Sequence, residues 1–176
     1  DWNAAHRLQG WTDTHLNAKG REQAAALATR VAGIHFDAVY SSMLSRTRET
    51  AEAAHGRVPI DSLVALNERK LGKFQGFVVG SDSAATAEFN RRSNALGDDL
   101  DGGETLEQHL VRVSEALARI RRQHPTGSVL IVGHGLTNQL VLKTLLQLDW
   151  KQALSIGQAN DELYLIELAP GRAARL

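Results

Sequence analysis

Apolar residues recur at helical spacing in several stretches of the chain. The clearest stripe follows Thr105, where a Thr-x-x-Gln capping pattern precedes apolar residues three or four positions apart. The stripe consists of Leu106, Leu110, Val113, Leu117 and Ile120. This pattern predicts a helix that begins after Thr105 and ends before Pro125.

Two short runs have the composition of strands. Residues 37–41 are rich in β-branched and aromatic side chains, and residues 129–133 form a continuous apolar run, which is typical of a strand buried on both faces. Each run is followed at once by a stretch with helical spacing, residues 43–54 and residues 136–148. The alternation predicts a three-layer α/β/α sandwich with a mainly parallel sheet, whose ligands bind beyond the carboxyl ends of the strands.

The rest of the chain gives weaker patterns. The alanine-rich stretch 18–31 follows Asn17, a good N-cap residue, and predicts a helix. Residues 162–168 predict a last strand. Residues 70–103 are rich in Gly, Ser, Asn and Asp and have helical spacing only near residues 84–92, so we expect them to form a lid that determines substrate specificity.

Composition narrows the functional classes. The 176 residues, 43% hydrophobic and 23% charged, fit a single domain over residues 1–176. Lys plus Arg and Asp plus Glu are equal at 20 each, so no general positive field attracts nucleic acid. Cysteine is absent from the sequence, which excludes thiolate chemistry, and no apolar run approaches the roughly 18 residues that span a bilayer. We therefore expect a small-molecule partner, with neither nucleic acid nor membrane.

Both strand-to-helix junctions carry side chains that can bind an anion. Arg46 lies in the first turn of one predicted helix, and His134 lies between Gly133 and Gly135 at the start of the other. Helix N-termini present free N–H groups and a partial positive charge, which favour phosphate. An arginine in a first turn is more often a solvated surface group, so this pattern alone leaves both interpretations open.

The sequence resembles the histidine phosphatase, or phosphoglycerate mutase-like, superfamily nearly from end to end. Six blocks match the family's motifs in the right order. They are Trp2-Asn3 with residues 7–13, residues 16–20 with Gln23-Ala24, residues 41–51, Leu66-Asn67-Glu68 with Gly72 and Gln75-Gly76, Gly103-Glu104-Thr105, and residues 132–135. The third block follows the family pattern Ser-Ser-x-Leu-x-Arg-x-x-x-Thr-Ala residue for residue.

The resemblance implies a cytoplasmic phosphomonoester hydrolase that forms a phosphohistidine on a small phosphorylated metabolite, without metal or cofactor. The nucleophilic histidine, part of an Arg-His-Gly motif, is expected just upstream of Asp1, so the domain is expected to be incomplete at its N-terminus. The family pattern gives Arg46 and His134, the latter as an imidazolium, the role of holding the phosphate, and gives Glu68 the role of proton shuttle. The other phosphate-binding candidates are Asn3, Gln9, Gly10 and Gly135.

Two alternatives remain at this point. A cofactor-dependent mutase is suggested by Arg91 and Arg92, which resemble an arginine pair that reads a second anionic group, although Leu71 and Val79 stand where mutases place tyrosine and lysine. A catalytically inert binding module is the other, and a homodimer is left open. The remaining histidines are expected to be solvated. They are His6, His15, His35, His55, His109 and His124.

Overall fold

Helices and strands alternate along most of the chain. The structure, a computed structural model, describes Trp2 and residues 5–55, 57–160, 162–168 and 172–175. The helices are α1 (Ala18–Val31), α2 (Ser45–Ala54), α3 (Ser83–Ser93), α4 (Leu106–Gln123), α5 (Gly135–Leu146) and α6 (Trp150–Leu154). The strands are β1 (Ala38–Ser42), β2 (Ile60–Leu63), β3 (Val129–Val132), β4 (Tyr164–Glu167) and β5 (Arg172–Arg175).

The main sheet has the order β2-β1-β3 and is parallel throughout. In the register, Val39 of β1 lies beside Ile60 of β2 and Leu130 of β3. β4 and β5 form a separate antiparallel pair. Among the described strands, β3 is hydrogen-bonded to β1 alone, so its outer edge has no strand partner in this part of the chain.

Helices cover both faces of the sheet because successive side chains of β1 point to opposite sides. Val39 packs against Leu27 of α1 and Ala51 of α2, whereas Tyr40 packs on the other face against Ile120 of α4. A third cluster joins α4 to α5. The predicted three-layer α/β/α sandwich with a mainly parallel sheet is confirmed.

The predicted helix starts follow their capping residues. The Asn17 side chain accepts a hydrogen bond from the Gly20 N–H at 2.8 Å. Thr105 and Gln108 form the full capping box of α4, with both hydrogen bonds at 3.0 Å. β2 and α6 are short elements that the apolar pattern does not reveal. No helix among the described residues is long and apolar enough to cross a membrane.

The segment expected to be a lid is held against the body of the domain by backbone hydrogen bonds. The weak helical stretch within it is α3, Ser83–Ser93. The Leu8 N–H donates to the Phe77 carbonyl at 2.8 Å, and the Val79 N–H donates to the His6 carbonyl at 3.0 Å. The segment thus contacts the N-terminal loop, and its movement as a lid stays a prediction.

Candidate active site

The two junctions singled out in the sequence lie side by side. β1 and β3 are parallel neighbours, so the helices that follow them start at the same edge of the sheet. Arg46 is the second residue of α2, and His134 is the N-cap of α5. The Arg46 Nε–H donates to His134 Nδ1 at 3.3 Å. Two helix N-termini, an arginine and a histidine therefore converge on one place.

Backbone carbonyls hold the rest of the Arg46 guanidinium. Its two terminal nitrogens donate to the Thr12 carbonyl at 2.9 Å and the Gly10 carbonyl at 3.0 Å. Gly10 has a φ of 51°, and a Cβ there would lie 2.7 Å from Gln75 Oε1 and 3.2 Å from the Arg69 carbonyl. Only glycine adopts this positive φ and fits this close to its neighbours without strain. Gly10 therefore shapes the loop that orients Arg46.

A chain of hydroxyl groups fixes the His134 ring. His134 Nε2 lies 2.9 Å from Ser42 Oγ, Ser42 Oγ lies 2.6 Å from Thr47 Oγ1, and the Thr47 hydroxyl donates to the Leu44 carbonyl at 2.9 Å. Because Nδ1 accepts from Arg46, the consistent assignment places the proton on Nε2.

The His134 imidazole is therefore neutral in this structure. Burial, and secondarily the charge of Arg46, hold its pKa well below the usual value. The hydrogen bond from Arg46 and the burial of the ring favour this neutral form over the expected imidazolium. A phosphate anion beside Nδ1 would favour the charged form, because an opposite charge stabilises the protonated ring.

Glu68 presents its carboxyl group at the N-terminus of α5. Oε2 accepts from the Leu136 N–H at 3.3 Å, and Oε1 accepts from the Arg69 N–H at 2.9 Å and the Thr137 hydroxyl at 3.3 Å. Burial raises the pKa of Glu68 even though these donors and Arg46 oppose the rise. A carboxyl group that can be protonated above its usual pH range suits proton transfer.

Two residues that the sequence analysis did not single out hold the backbone at Glu68. Arg112 donates to the Glu68 carbonyl at 3.0 Å and binds Glu104 through two hydrogen bonds of 2.6 and 2.8 Å. Trp11 Nε1 donates to the same carbonyl at 2.5 Å. The Gly-Glu-Thr block was the available signal for Glu104, but nothing in the pattern pointed to Arg112 as its partner.

The expectation of a solvated His109 is wrong. Its side chain is fully buried, with Nε2 at 3.1 Å from the hydroxyl of Thr137, and Thr137 in turn contacts Glu68. Burial, with the charge of Arg112, lowers the pKa of His109 to about 2. His109 is thus a neutral interior group that is linked to the Glu68 carboxyl through the Thr137 hydroxyl.

One cavity of ≈ 1470 Å³ contains most of the predicted site. The predicted residues that line it are Gln9, Gly10, Arg46, Glu68, His134 and Gly135. The cavity extends along β3 to residues 162–168. Asn3 lies outside the described residues. Arg91 and Arg92 are absent from the described lining of this cavity, so the structure does not bring them together with the others.

Arg92 is bound by carboxylates of the protein itself rather than placed to read a second anionic group. Its guanidinium contacts Glu88 at 3.0 Å, Asp98 at 2.8 Å and Asp101 at 2.9 Å. The hydrogen bonds from Arg92 lower the pKa of Asp98 to about 2, so this carboxylate stays ionised. Arg91 beside it is exposed to solvent.

Comparison with known proteins gives the family. A model of the histidine phosphatase superfamily, branch 1, matches residues 1–175. The chain belongs to this superfamily. Phosphoglycerate mutase-like protein 4 of Arabidopsis thaliana is 36% identical over 141 residues, which cover 76% of this chain and 61% of that protein. The chain thus spans less than two thirds of this plant relative.

Solved histidine phosphatase-fold structures agree with the architecture. YhfR of Bacillus stearothermophilus superposes with a TM-score of 0.77 at 29% identity, covering 89% of this chain and 80% of YhfR. A mycobacterial glucosyl-3-phosphoglycerate phosphatase superposes with a TM-score of 0.78 at 26% identity. The match covers 89% of this chain and 79% of the phosphatase chain. The phosphoglycerate mutase-like fold inferred from the sequence is confirmed.

Proposed function

We propose that this chain is the main part of a phosphomonoesterase that removes phosphate from a small phosphorylated metabolite. The observation that carries the proposal is the convergence of Arg46, His134 and Glu68 at one edge of the parallel sheet. The phosphatase activity named for the mycobacterial neighbour supports hydrolysis as the reaction. Membership of the superfamily supports histidine as the nucleophile.

In the proposed reaction, an upstream histidine attacks phosphorus, and the ester P–O bond breaks as the N–P bond forms. Glu68 donates its proton to the leaving oxygen. Water then attacks the phosphohistidine, passes a proton to Glu68 and breaks the N–P bond, which releases phosphate. Arg46, a protonated His134 and the Gly135 N–H would stabilise the charge on the equatorial phosphate oxygens, with Gln9 and Gly10 shaping the pocket around them.

The proposed position of the nucleophile rests on the outer edge of β3. Among the described strands β3 pairs with β1 alone, and the cavity runs along its other side towards β4. We propose that a strand upstream of Asp1 pairs with β3 and ends with the histidine beside His134.

Acid-quench and base-quench experiments on the full-length protein test the mechanism. The expected result is phosphate release from 4-nitrophenyl phosphate, through a phosphoprotein that is acid-labile and base-stable. Alanine in place of the upstream histidine should abolish both signals, and EDTA should leave activity unchanged. An upstream sequence without the Arg-His-Gly motif, or full activity of the alanine variant, would contradict the mechanism.

A mutase is the second candidate, because the plant relative is named phosphoglycerate mutase-like. The carboxylate partners of Arg92 argue against it, since that arginine is already neutralised. Measuring interconversion of the phosphoglycerates beside phosphate release separates the two reactions. Phosphate binding without either reaction would instead indicate an inert binding module.

A further inference from the structure

One wall of the cavity carries no charged side chain and lies beside Gly10, whose carbonyl binds Arg46. We call the end of the cavity that contains Arg46, Glu68 and His134 the phosphate end. We define the side wall as Leu71, Phe89, Ser93 and Asn94, all of which line the cavity. Phe89 rests edge-to-face on the buried Phe74, with ring centroids 5.3 Å apart. The side wall therefore presents the aliphatic Leu71 and the aromatic Phe89, whose ring is held by packing on Phe74. Ser93 and Asn94 add neutral polar groups.

Short contacts place the side wall next to the catalytic candidates. The carbonyl of Ser93 accepts a hydrogen bond from Arg69 at 2.7 Å, and Arg69 follows Glu68 in the chain. A Cβ built on Gly10 would lie 3.3 Å from Leu71 Cγ, and the Gly10 carbonyl is bound to Arg46. The side wall thus neighbours the proposed phosphate position through Leu71, and the part of a substrate beyond its phosphate can contact it.

Arg69 and Arg92, two arginines beside the side wall, already have all their donors or charge engaged by other groups. Arg69 is 1% exposed, and its Nε, Nη1 and Nη2 donate to three backbone carbonyls. Arg92, on the same helix as Phe89, binds three carboxylates. Lys73 also binds two of them, Glu88 and Asp101. Two cations face three carboxylates in this cluster, so it carries a net negative charge.

We propose that the side wall selects substrates whose part beyond the phosphate is uncharged and has an apolar face, and that it disfavours a second anionic group. A carboxylate placed there would give up water, and neither Arg69 nor Arg92 has donors free to replace it, which costs free energy. It would also approach a cluster with net negative charge. An aryl or alkyl group gains contact with Leu71 and Phe89 instead. This inference rests on the proposed phosphatase function and names its substrate class.

A pair of matched substrates tests the selection on the full-length protein. Phenyl phosphate and 4-carboxyphenyl phosphate share the reacting ester and differ in one charged group. We expect kcat/KM to be higher for phenyl phosphate by about tenfold or more. An equal or higher kcat/KM for the carboxylated substrate would overturn the inference.

A charge added to the side wall should reverse the preference. Asn94 is exposed at the C-terminal end of α3 and lines the cavity, so Asn94→Arg should raise kcat/KM for 4-carboxyphenyl phosphate by about tenfold, the scale of a charged hydrogen bond. Asn90→Arg adds the same charge to an exposed position of α3 outside the described cavity lining and should leave the substrate ratio unchanged. Equal gains in both variants would mean that net charge alone acts, and no gain in Asn94→Arg would place the substrate elsewhere; either result overturns the inference.

Calorimetric binding of phenylphosphonate and 4-carboxyphenylphosphonate, which cannot be hydrolysed, separates this inference from the proposed function. Absent phosphate release with tighter binding of phenylphosphonate would reject the phosphatase and keep the side-wall selection. Hydrolysis of both phosphates with tighter binding of the carboxylated ligand would keep the phosphatase and reject the selection. Failure of both phosphonates to bind would reject the selection as well.

Discussion

The candidate site and the neighbouring α3 region are held together by different kinds of interaction. At the phosphate end, Arg46 and Glu68 are fixed by backbone carbonyl and N–H groups in the interior. Around Arg92, the neighbouring α3 region is held by side-chain carboxylates at the surface. Backbone groups cannot be substituted and are little screened by salt, whereas surface ion pairs are screened and open to mutation. The comparison favours a rigid proposed reaction centre beside an α3 region whose contacts can vary without disturbing it.

Glu68→Gln should give the largest effect at the phosphate end. The amide keeps the size of the side chain but cannot transfer a proton, so kcat should fall by about 10²- to 10⁴-fold. Because burial raises the pKa of Glu68, the wild-type rate should decline only as pH rises through that raised pKa, and the variant should lose this limb of the profile. Steady-state phosphate release measures both, with the exposed Glu107→Gln as control. If Glu68→Gln keeps the same decline of rate with rising pH, the proton transfer belongs to another group.

Arg46→Lys should have the next largest effect. Lysine keeps the positive charge but cannot reach the Gly10 and Thr12 carbonyls and a phosphate together, because it lacks the planar fork of arginine. We expect kcat/KM to fall by about 10²-fold. Arg48→Lys, at an exposed position of the same helix, should retain activity. Similar activity of both variants would show that Arg46 supplies only charge.

His109→Gln tests how the interior behind Glu68 responds to acid. The native pKa of about 2 lies below the ordinary 6.5, so from pH 6.5 downwards the unfolded chain binds a proton that the native protein does not. This site alone should lower the unfolding free energy by about 2 kcal/mol between pH 7 and pH 5. The glutamine variant should lack that loss in urea unfolding. His35→Gln, at an exposed site, should follow the wild type, and an unchanged slope in His109→Gln would contradict a neutral buried ring.

Arg92→Gln should have the smallest effect on catalysis. Losing the partner of Asp98 and Asp101 should speed amide hydrogen exchange in residues 83–101. Raising NaCl to 1 M should act in the same direction on the wild type, because the screening length shortens to about 3 Å. Exchange at the phosphate end should not change in either case. Arg91→Gln is the control at the neighbouring exposed position. An equal increase of amide exchange in that variant would show that the ion pairs of Arg92 do not stabilise this region.

The sequence predicted those parts of the fold that local interactions determine. The capping box at Thr105 and the N-cap Asn17 fix helix starts through hydrogen bonds within a few residues. β2 was not predicted, because its exposed and half-buried residues give no clear apolar pattern before it pairs with β1. The pairing of β4 with β5 likewise depends on contacts that the local pattern does not carry.

At the site, the family motif placed Arg46, Glu68 and His134 correctly in one region, and their chemical roles stay predictions. The buried network behind them could not be predicted. Arginine is ordinarily a surface residue, so a residue such as Arg69, 1% exposed, carries no local signal of burial. For Arg92 a signal existed, since Glu88 lies four residues earlier on the same helix face.

The outer edge of β3 also bears on how the chain behaves at high concentration. Val129 to Val132 is a run of β-branched and aliphatic residues whose backbone N–H and C=O groups on that side have no strand partner among the described residues. Such an edge is a template for pairing with strands of other molecules. In the proposed full-length protein, the strand that pairs with β3 would cover this edge and prevent such pairing, as well as carry the nucleophile.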